Sequence, residues 1–168
     1  MKNDRVITSK SYILYSLFII LVIVLSFYIS MWIKNYNSVK TSTSFLEGKV
    51  PELNLNEFYT GISEMSEAIV YIGYTNDSSI YKLEKDIYNR LYKKNLLNYF
   101  VYVNVTNEEN YEEILLKELG NNIDKIKAPS IIYFRNSYPV KVINSNSKKI
   151  ISVHELNELI DYYELGDN

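Results

Sequence analysis

There is no cysteine among the 168 residues of this chain. Disulfides, thiol catalysis, thiolate metal sites and lipoprotein modification are excluded together. Histidine is nearly as scarce, His154 alone, so a zinc site would have to be built from carboxylates, a poor donor set for that ion. No excess of positive charge is present either: the formal net charge is −2, which argues against nucleic acid, a partner that wants a basic face. The charge is unevenly spread. Residues 1–10 hold Lys2, Arg5 and Lys10 against Asp4, while residues 39–168 hold 14 basic and 19 acidic side chains. A domain of that balance is soluble and repelled by anionic lipid. Ile, Asn, Lys and Tyr are abundant and Lys far outnumbers Arg, the composition of an AT-rich bacterial genome.

What the chain does have is a long apolar run. Tyr12 to Ile33 is 22 residues without a formal charge, and about 20 apolar residues span a bilayer core at ~1.5 Å rise each. Tyr12, Tyr15, Tyr28 and Trp32 place amphipathic rings near its ends, where an interface favours them. Only Ser16, Ser26 and Ser30 interrupt the run. A cleaved signal peptide would have a shorter core and a small-residue exit; this run leaves through the bulky Ser30-Met31-Trp32-Ile33-Lys34. The expectation is an uncleaved, single-pass transmembrane helix over residues 12–33, preceded by an N-terminal segment, 1–11. Lys2, Arg5 and Lys10 before it, against Lys34 and Lys40 after it, orient the N-terminus to the cytoplasm and residues 35–168 outside the cell membrane.

Residues 34–52 are polar and rich in Ser, Thr and Asn, the composition of a flexible linker; Phe45 and Leu46 are its isolated apolar residues, free to dock on the domain. From Leu53 onward the patterning of a folded domain resumes. Asn54 is placed to cap a helix over Leu55–Met65. Ala68–Tyr74 is an apolar strand, and Ser78 or Ser79 is placed to cap a helix to Lys94 whose stripe is Leu83, Ile87 and Leu91 with Ile80 and Tyr88 beside it. Tyr99–Val105 alternates as a strand. Asn107 starts a helix to Leu119, its first turns rich in Glu108, Glu109, Glu112 and Glu113, and Gly120 ends it. Ser130–Phe134 and Val140–Asn144 form a hairpin across Arg135–Pro139. Ser152 and Glu155 make the capping box of a last helix that turns Leu156, Leu159, Ile160 and Tyr163 inward. The order α-β-α-β-α-β-β-α implies an α/β domain over residues 53–168, a mixed four-stranded sheet with helices on both faces.

That order, with specific segments, resembles the thioredoxin-like superfamily, and within it the thioredoxin-like bacteriocin transport accessory proteins of Gram-positive bacteria. Those proteins read Ile-Gly-Arg, a short polar pair, then Cys-Pro-x-Cys and a helix. Here Ile72-Gly73-Tyr74-Thr75-Asn76 leads into Asp77-Ser78-Ser79-Ile80, so Asp77 and Ile80 fall where the two cysteines would be. Phe100 to Thr106 is similar to the second strand of that family. Ala128-Pro129-Ser130-Ile131-Ile132-Tyr133-Phe134-Arg135-Asn136 resembles its Val-Pro-Thr, strand and Asn-Gly turn. The resemblance covers residues 54–165. It implies a cis bond at Pro129 and, beside the Asp77 turn, an extended backbone where a peptide pairs through main-chain hydrogen bonds. Without thiols, dithiol exchange is unavailable.

The candidate groove comprises Tyr74, Asp77, Ser78, Ser79, Ile80, Ala128 and Pro129, with Tyr81 as a further contact. Each has a plainer role: Asp77, Ser78 and Ser79 are what a helix cap requires, and Pro129 is tolerated at the start of a strand. Tyr71, Tyr99, Tyr102 and Tyr133 are expected to alternate between core and face. His154 beside Ser152 and Glu155 has no nucleophile–base–orienter set around it, and the glutamates of 108–113 are a solvated first turn before they are a cation site. No cofactor or metal is implied. The expected function is a redox-inactive, membrane-anchored binding or accessory protein with a protein or peptide partner outside the cytoplasm, serving a secreted peptide or an envelope export complex. The alternatives are a structural bitopic subunit and an enzyme with non-thiol chemistry at Asp77-Ser78.

Overall fold

The computed structural model describes residues 9–120 and 123–166. Lys2 and Arg5, and the side chain of Lys10, on which the expected orientation rests, lie outside that description. The chain divides into two compact units, residues 1–40 and 41–168.

The first unit is the helix α1, Ser9–Thr41. It is longer than the apolar run, because Lys34 to Thr41 has no helix breaker and carries the ladder on. Apolar side chains point outward all round it, and none of its most apolar stretch is buried. Ser16, Ser26 and Ser30 return their hydroxyls to the carbonyls of Ile13, Val22 and Ser26, each at 2.8 Å, so these three donors are satisfied within the helix. By length and composition this helix is long and apolar enough to cross a membrane.

The second unit is built on a sheet of order β2-β1-β3-β4. Its elements are α2 (Phe58–Ser63), β1 (Glu67–Gly73), α3 (Ser78–Lys93), β2 (Phe100–Asn104), α4 (Tyr111–Leu119), β3 (Ser130–Arg135), β4 (Tyr138–Asn144) and α5 (Val153–Tyr162). β1 pairs with β2 in parallel, Tyr71 opposite Tyr102, and with β3 antiparallel, Tyr71 opposite Ile131. The mixed four-stranded sheet expected from the sequence is present.

Strand alternation divides the interior in two. Ile69, Tyr71, Phe100, Tyr102, Ile131 and Tyr133 face α3 and α5, whereas Val70, Ile72, Val101, Val103, Ile132 and Phe134 face α2 and α4. Tyr71, Tyr102 and Tyr133 are therefore wholly buried on one side, not shared between core and solvent; strand register, with Tyr102 opposite Tyr71 and Tyr133 opposite Ile69, puts them all on the same face. Tyr71 and Tyr102 stack with centroids 5.9 Å apart.

Several boundaries differ from the expected ones. Asn54 makes no side-chain cap; it leads a 3-10 turn, Leu55–Glu57, and α2 is one short helix burying Phe58 and Ile62. Asn107 does not start α4: turns from Val105 to Glu108 and from Glu108 to Tyr111 occupy that stretch, so Glu108 and Glu109 precede the helix and only Glu112 and Glu113 sit in its first turn. The last hairpin is tighter than Arg135–Pro139, because Asn136 and Ser137 both take positive φ, 52° and 65°, the pattern of a two-residue turn. Pro139 then falls within β4, an edge strand that tolerates it. The Ser152–Glu155 capping box is present, Glu155 Oε2 accepting the Ser152 N–H at 2.8 Å.

Residues 42–53 are the largest departure. They form no loose linker but a strap packed on the domain. Leu46 is wholly buried among Tyr71, Ile87 and Tyr102, and Val50 joins it. Phe45 lies edge-on to Tyr81 and Tyr88, at 5.5 and 5.8 Å. Tyr102 donates its N–H to Pro51 and accepts that of Leu53, both at 2.9 Å, which covers the outer edge of β2.

The strap is fastened to Glu84, a carboxyl only 1% exposed on α3. Its Oε2 accepts from the Ser44 hydroxyl at 2.7 Å and the Phe45 N–H at 2.8 Å, and the Ser44 Oγ in turn accepts the Leu46 N–H at 3.0 Å. Glu84 Oε1 has no hydrogen-bond partner. Burial pushes the Glu84 carboxyl up to about 7, with the two donors and the Lys49 charge pulling the other way.

If the strap is part of the core, Leu46→Ala lowers the unfolding free energy of the full chain by about 2–5 kcal/mol, the range for a buried leucine. Denaturant titration followed by tyrosine fluorescence reads this. A change within about 0.5 kcal/mol, the size for a surface substitution, would return residues 42–53 to a linker.

Candidate functional site

The parallel pair β1–β2 and the antiparallel strand β3 meet at one end of the sheet, where Gly73 is opposite Asn104 and Ile72 is opposite Ser130. In open α/β sheets the crevice beyond the carboxyl ends of parallel strands is where ligands settle. A cleft of about 410 Å³ lies there, lined by Tyr74, Thr75, Asn76, Val105, Thr106, Glu108, Glu109, Tyr111 and Ala128.

Its floor is held by short polar links. Val105 donates its N–H to Gly73 O at 2.9 Å, which continues the ladder past both strand ends. Thr106 Oγ1 accepts the Thr75 N–H at 2.9 Å and bonds Asn104 Oδ1 at 2.5 Å. Asn76 takes φ 66°, a left-handed value that asparagine tolerates, and so turns the chain from β1 toward α3. At Gly73 a Cβ would sit 2.5 Å from Tyr71 Cε1. That glycine is required by the buried ring lying over it.

The Ala128–Pro129 bond is cis, as the resemblance implied. Pro129 is buried, and its carbonyl accepts from Ser145 N at 3.2 Å and Ser145 Oγ at 2.7 Å. The Ala128 N–H is given to the Tyr111 hydroxyl at 3.1 Å. Burial raises the Tyr111 phenol above its ordinary pKa, and the N–H it accepts works against that rise. Tyr74 is raised as well, first by burial and then by the negative charge of Asp77.

The expected groove residues separate into three places. Tyr74 and Ala128 line the cleft together. Asp77, and neither Ser78 nor Ser79, is the cap of α3: its Oδ1 accepts the N–H of Ser79 at 2.7 Å and of Ile80 at 3.2 Å. The turn through Asn76 sets this register, leaving Ser78 and Ser79 exposed in the first helical turn. Ile80 is 1% exposed and belongs to the core, so it offers a ligand nothing. An Asp77 that spends its oxygen on two backbone donors is a poor general base, and the exposed Ser78 beside it has no base within this set. His154 stands on the surface 3.5 Å from Glu158, which leaves Glu155 to the helix cap.

Thr106 and Tyr111 were not legible as site residues. Thr106 ends a strand pattern and Tyr111 looks like one helix residue among many; only the fold brings Tyr111, seventeen positions before Ala128, against the proline turn. Glu84 does carry a signal in the sequence: it lies four residues after Ile80 and three before Ile87, inside the apolar stripe of α3.

No family model matches the sequence, and none of the curated proteins matches it. Among solved structures the chain is similar to thioredoxin f2 of Chlamydomonas reinhardtii, with 16% identity, 68% of this chain and 95% of that chain covered, and a TM-score of 0.51. It is similar also to a chain of the ferredoxin: thioredoxin reductase and thioredoxin f2 complex, with 14% identity, coverage of 68% and 94%, and a TM-score of 0.50. At these identities the likeness establishes the fold: residues 41–168 form a thioredoxin-like domain, behind an apolar N-terminal helix.

Gly73→Ala forces the Tyr71 ring out of place and costs about 1–3 kcal/mol, the usual price of overpacking a core. Denaturant unfolding of the full chain measures it; stability equal to wild type would show that the ring does not close on Gly73.

Proposed function

We propose that this protein is a single-pass, membrane-anchored thioredoxin-like binding protein of the bacteriocin transport accessory kind. In this reading the N-terminus is cytoplasmic, the domain lies outside the cell membrane, and its work is to hold a secreted peptide or a component of an envelope export complex. The observation that carries the proposal is a kept frame without its chemistry: a cleft beside a cis-proline turn, lined by Tyr74 and Ala128, in a chain with no thiol. Asp77 and Ile80 are then the remnants of a redox pair, one reused as a cap and the other absorbed into the core. Aromatic and main-chain groups converging in a cleft favour recognition of an extended segment. An apolar helix supplies the anchor, and the basic residues ahead of it set the orientation.

One observation favours the structural bitopic subunit as a second reading. The Ala128 N–H is engaged by Tyr111, so a peptide strand must displace that phenol or pair elsewhere. Exchanging residues 12–33 for an unrelated apolar helix distinguishes the two: a binding module keeps its function under the exchange, a helix-mediated subunit loses it.

A photo-crosslinking amino acid in place of Tyr74 in the full chain, in its native cell, should yield an adduct with a secreted peptide or an envelope protein. Ala128→Trp, which fills the cleft, should lower that yield at least about tenfold, the effect of losing ~1.4 kcal/mol of binding. No adduct, or the same adduct from a crosslinker at exposed Tyr138, would overturn the binding role of the cleft.

A further inference from the structure

The buried carboxyl of Glu84 plays no part in the cleft, yet it is the fastening point of the strap that joins α1 to the domain. It meets the strap through Ser44 and Phe45, and its charge acts on the hydroxyls of Tyr71 in β1 and Tyr102 in β2. Both hydroxyls are buried without a hydrogen-bond partner and close enough to feel the Glu84 charge. Tyr102 lies beside Ser44 but outside hydrogen-bond geometry. Among the described residues the positive charge that acts on Glu84 is Lys49, an exposed side chain whose ammonium is turned to the Phe45 carbonyl and lies 4.2 Å from the Phe45 ring centroid. Glu47 and Glu52 add negative charge around Tyr102. Glu84 Oε2 is thus satisfied twice, while Oε1 is buried without a hydrogen-bond partner.

We propose that Glu84 is a pH-dependent latch on the strap of residues 42–50, clasping it when the carboxyl is neutral and loosening it when the carboxyl is ionised. A neutral carboxyl accepts from Ser44 and Phe45 through Oε2 and carries its proton on Oε1, so no net charge is buried. An ionised carboxyl keeps those two donors but places a charge where water cannot reach it, a state that burial penalises heavily. Lifting the strap brings water to the carboxyl and relieves the penalty.

The direction follows from linkage. The docked carboxyl titrates about 7 and an exposed one near its ordinary 4.5, so the docked form binds the extra proton between those values. Docking is strongest below pH ~4.5, weakens by up to about tenfold per unit as pH rises toward 7, and is level above that. Acidification closes the strap; neutral pH eases it. Freed, residues 42–50, the nine ahead of the stretch paired with β2, reach up to about 30 Å when extended, so the latch sets how much slack chain follows α1. None of this depends on what the cleft binds.

The test is amide exchange of Phe45 and Leu46, corrected for intrinsic rates, in the full chain held in lipid nanodiscs between pH 5 and 8. Wild-type protection should fall about 40-fold between pH 5 and 7 and level off by pH 8. At every pH it should stay at least about tenfold below that of Ile69–Ile72 in the central strand, because strap opening is local. Glu84→Gln, which keeps the acceptor and cannot ionise, should remove the pH dependence. Ser44→Ala, which removes a donor to the charged form, should carry the fall on to higher pH than in wild type. A flat wild-type profile would overturn the latch, as would an unchanged profile in Ser44→Ala or strap protection equal to that of β1. If Glu84→Gln does not fold, the wild-type and Ser44→Ala profiles decide the matter alone.

Discussion

A carboxyl group inside an apolar interior must be neutral, fully partnered or released, and Glu84 is what ties the first part of this domain to that choice. Its Oε2 gathers the Ser44 hydroxyl and the Phe45 N–H, and this brings Leu46 into the space over Tyr71 and Tyr102. With Leu46 in place, Val50 is buried and Pro51 to Leu53 lie along β2. The outer edge of β2 is thereby covered. An apolar residue at position 84 would give a sound helix and leave the Ser44 and Phe45 donors without an acceptor. The polar group therefore contributes position more than energy, for Leu46 burial alone outweighs the net worth of two hydrogen bonds.

Much of the fold was legible because period and punctuation agreed. The apolar run Ala68–Tyr74 and the alternation of Tyr99–Val105 marked two buried strands, Gly120 and the Ser152–Glu155 box marked helix ends, and the proline turn marked β3. Boundaries failed where two residues of the same chemistry compete. Asp77, Ser78 and Ser79 are all capping residues, and the left-handed turn at Asn76, a tertiary matter, selects Asp77. The start of α4 slipped because Asn104, Thr106 and Thr75 knit a polar corner that no local pattern announces. Leu46 and Glu84 were hidden by their context: one is an apolar residue in a polar stretch, the other a charge in an apolar stripe. They explain each other only once the fold puts them together.

The site was legible in outline and not in membership. Tyr74 and Ala128 share the cleft, but Ile80 is core and Asp77 is a cap. Thr106 and Tyr111 came from elsewhere in the chain. A thioredoxin-like fold usually places reactive thiols at the start of the helix after β1, and here that position serves architecture. The absence of any thiol beside a cleft at the cis-proline turn is what the proposed holding role rests on, and the apolar helix α1 is what its proposed place at a membrane rests on.

Whether the strap belongs to the domain decides most of this account, and the Glu84 carboxyl reports on it directly. Carbon-13 detection of the Glu84 side-chain carboxyl in the full chain, followed from pH 3 to 9, should give a midpoint about 7, with no second, lower midpoint. A midpoint near the ordinary 4.5 would mean that water reaches Glu84, that the strap does not cover it, and that residues 42–53 are the loose tether their composition describes.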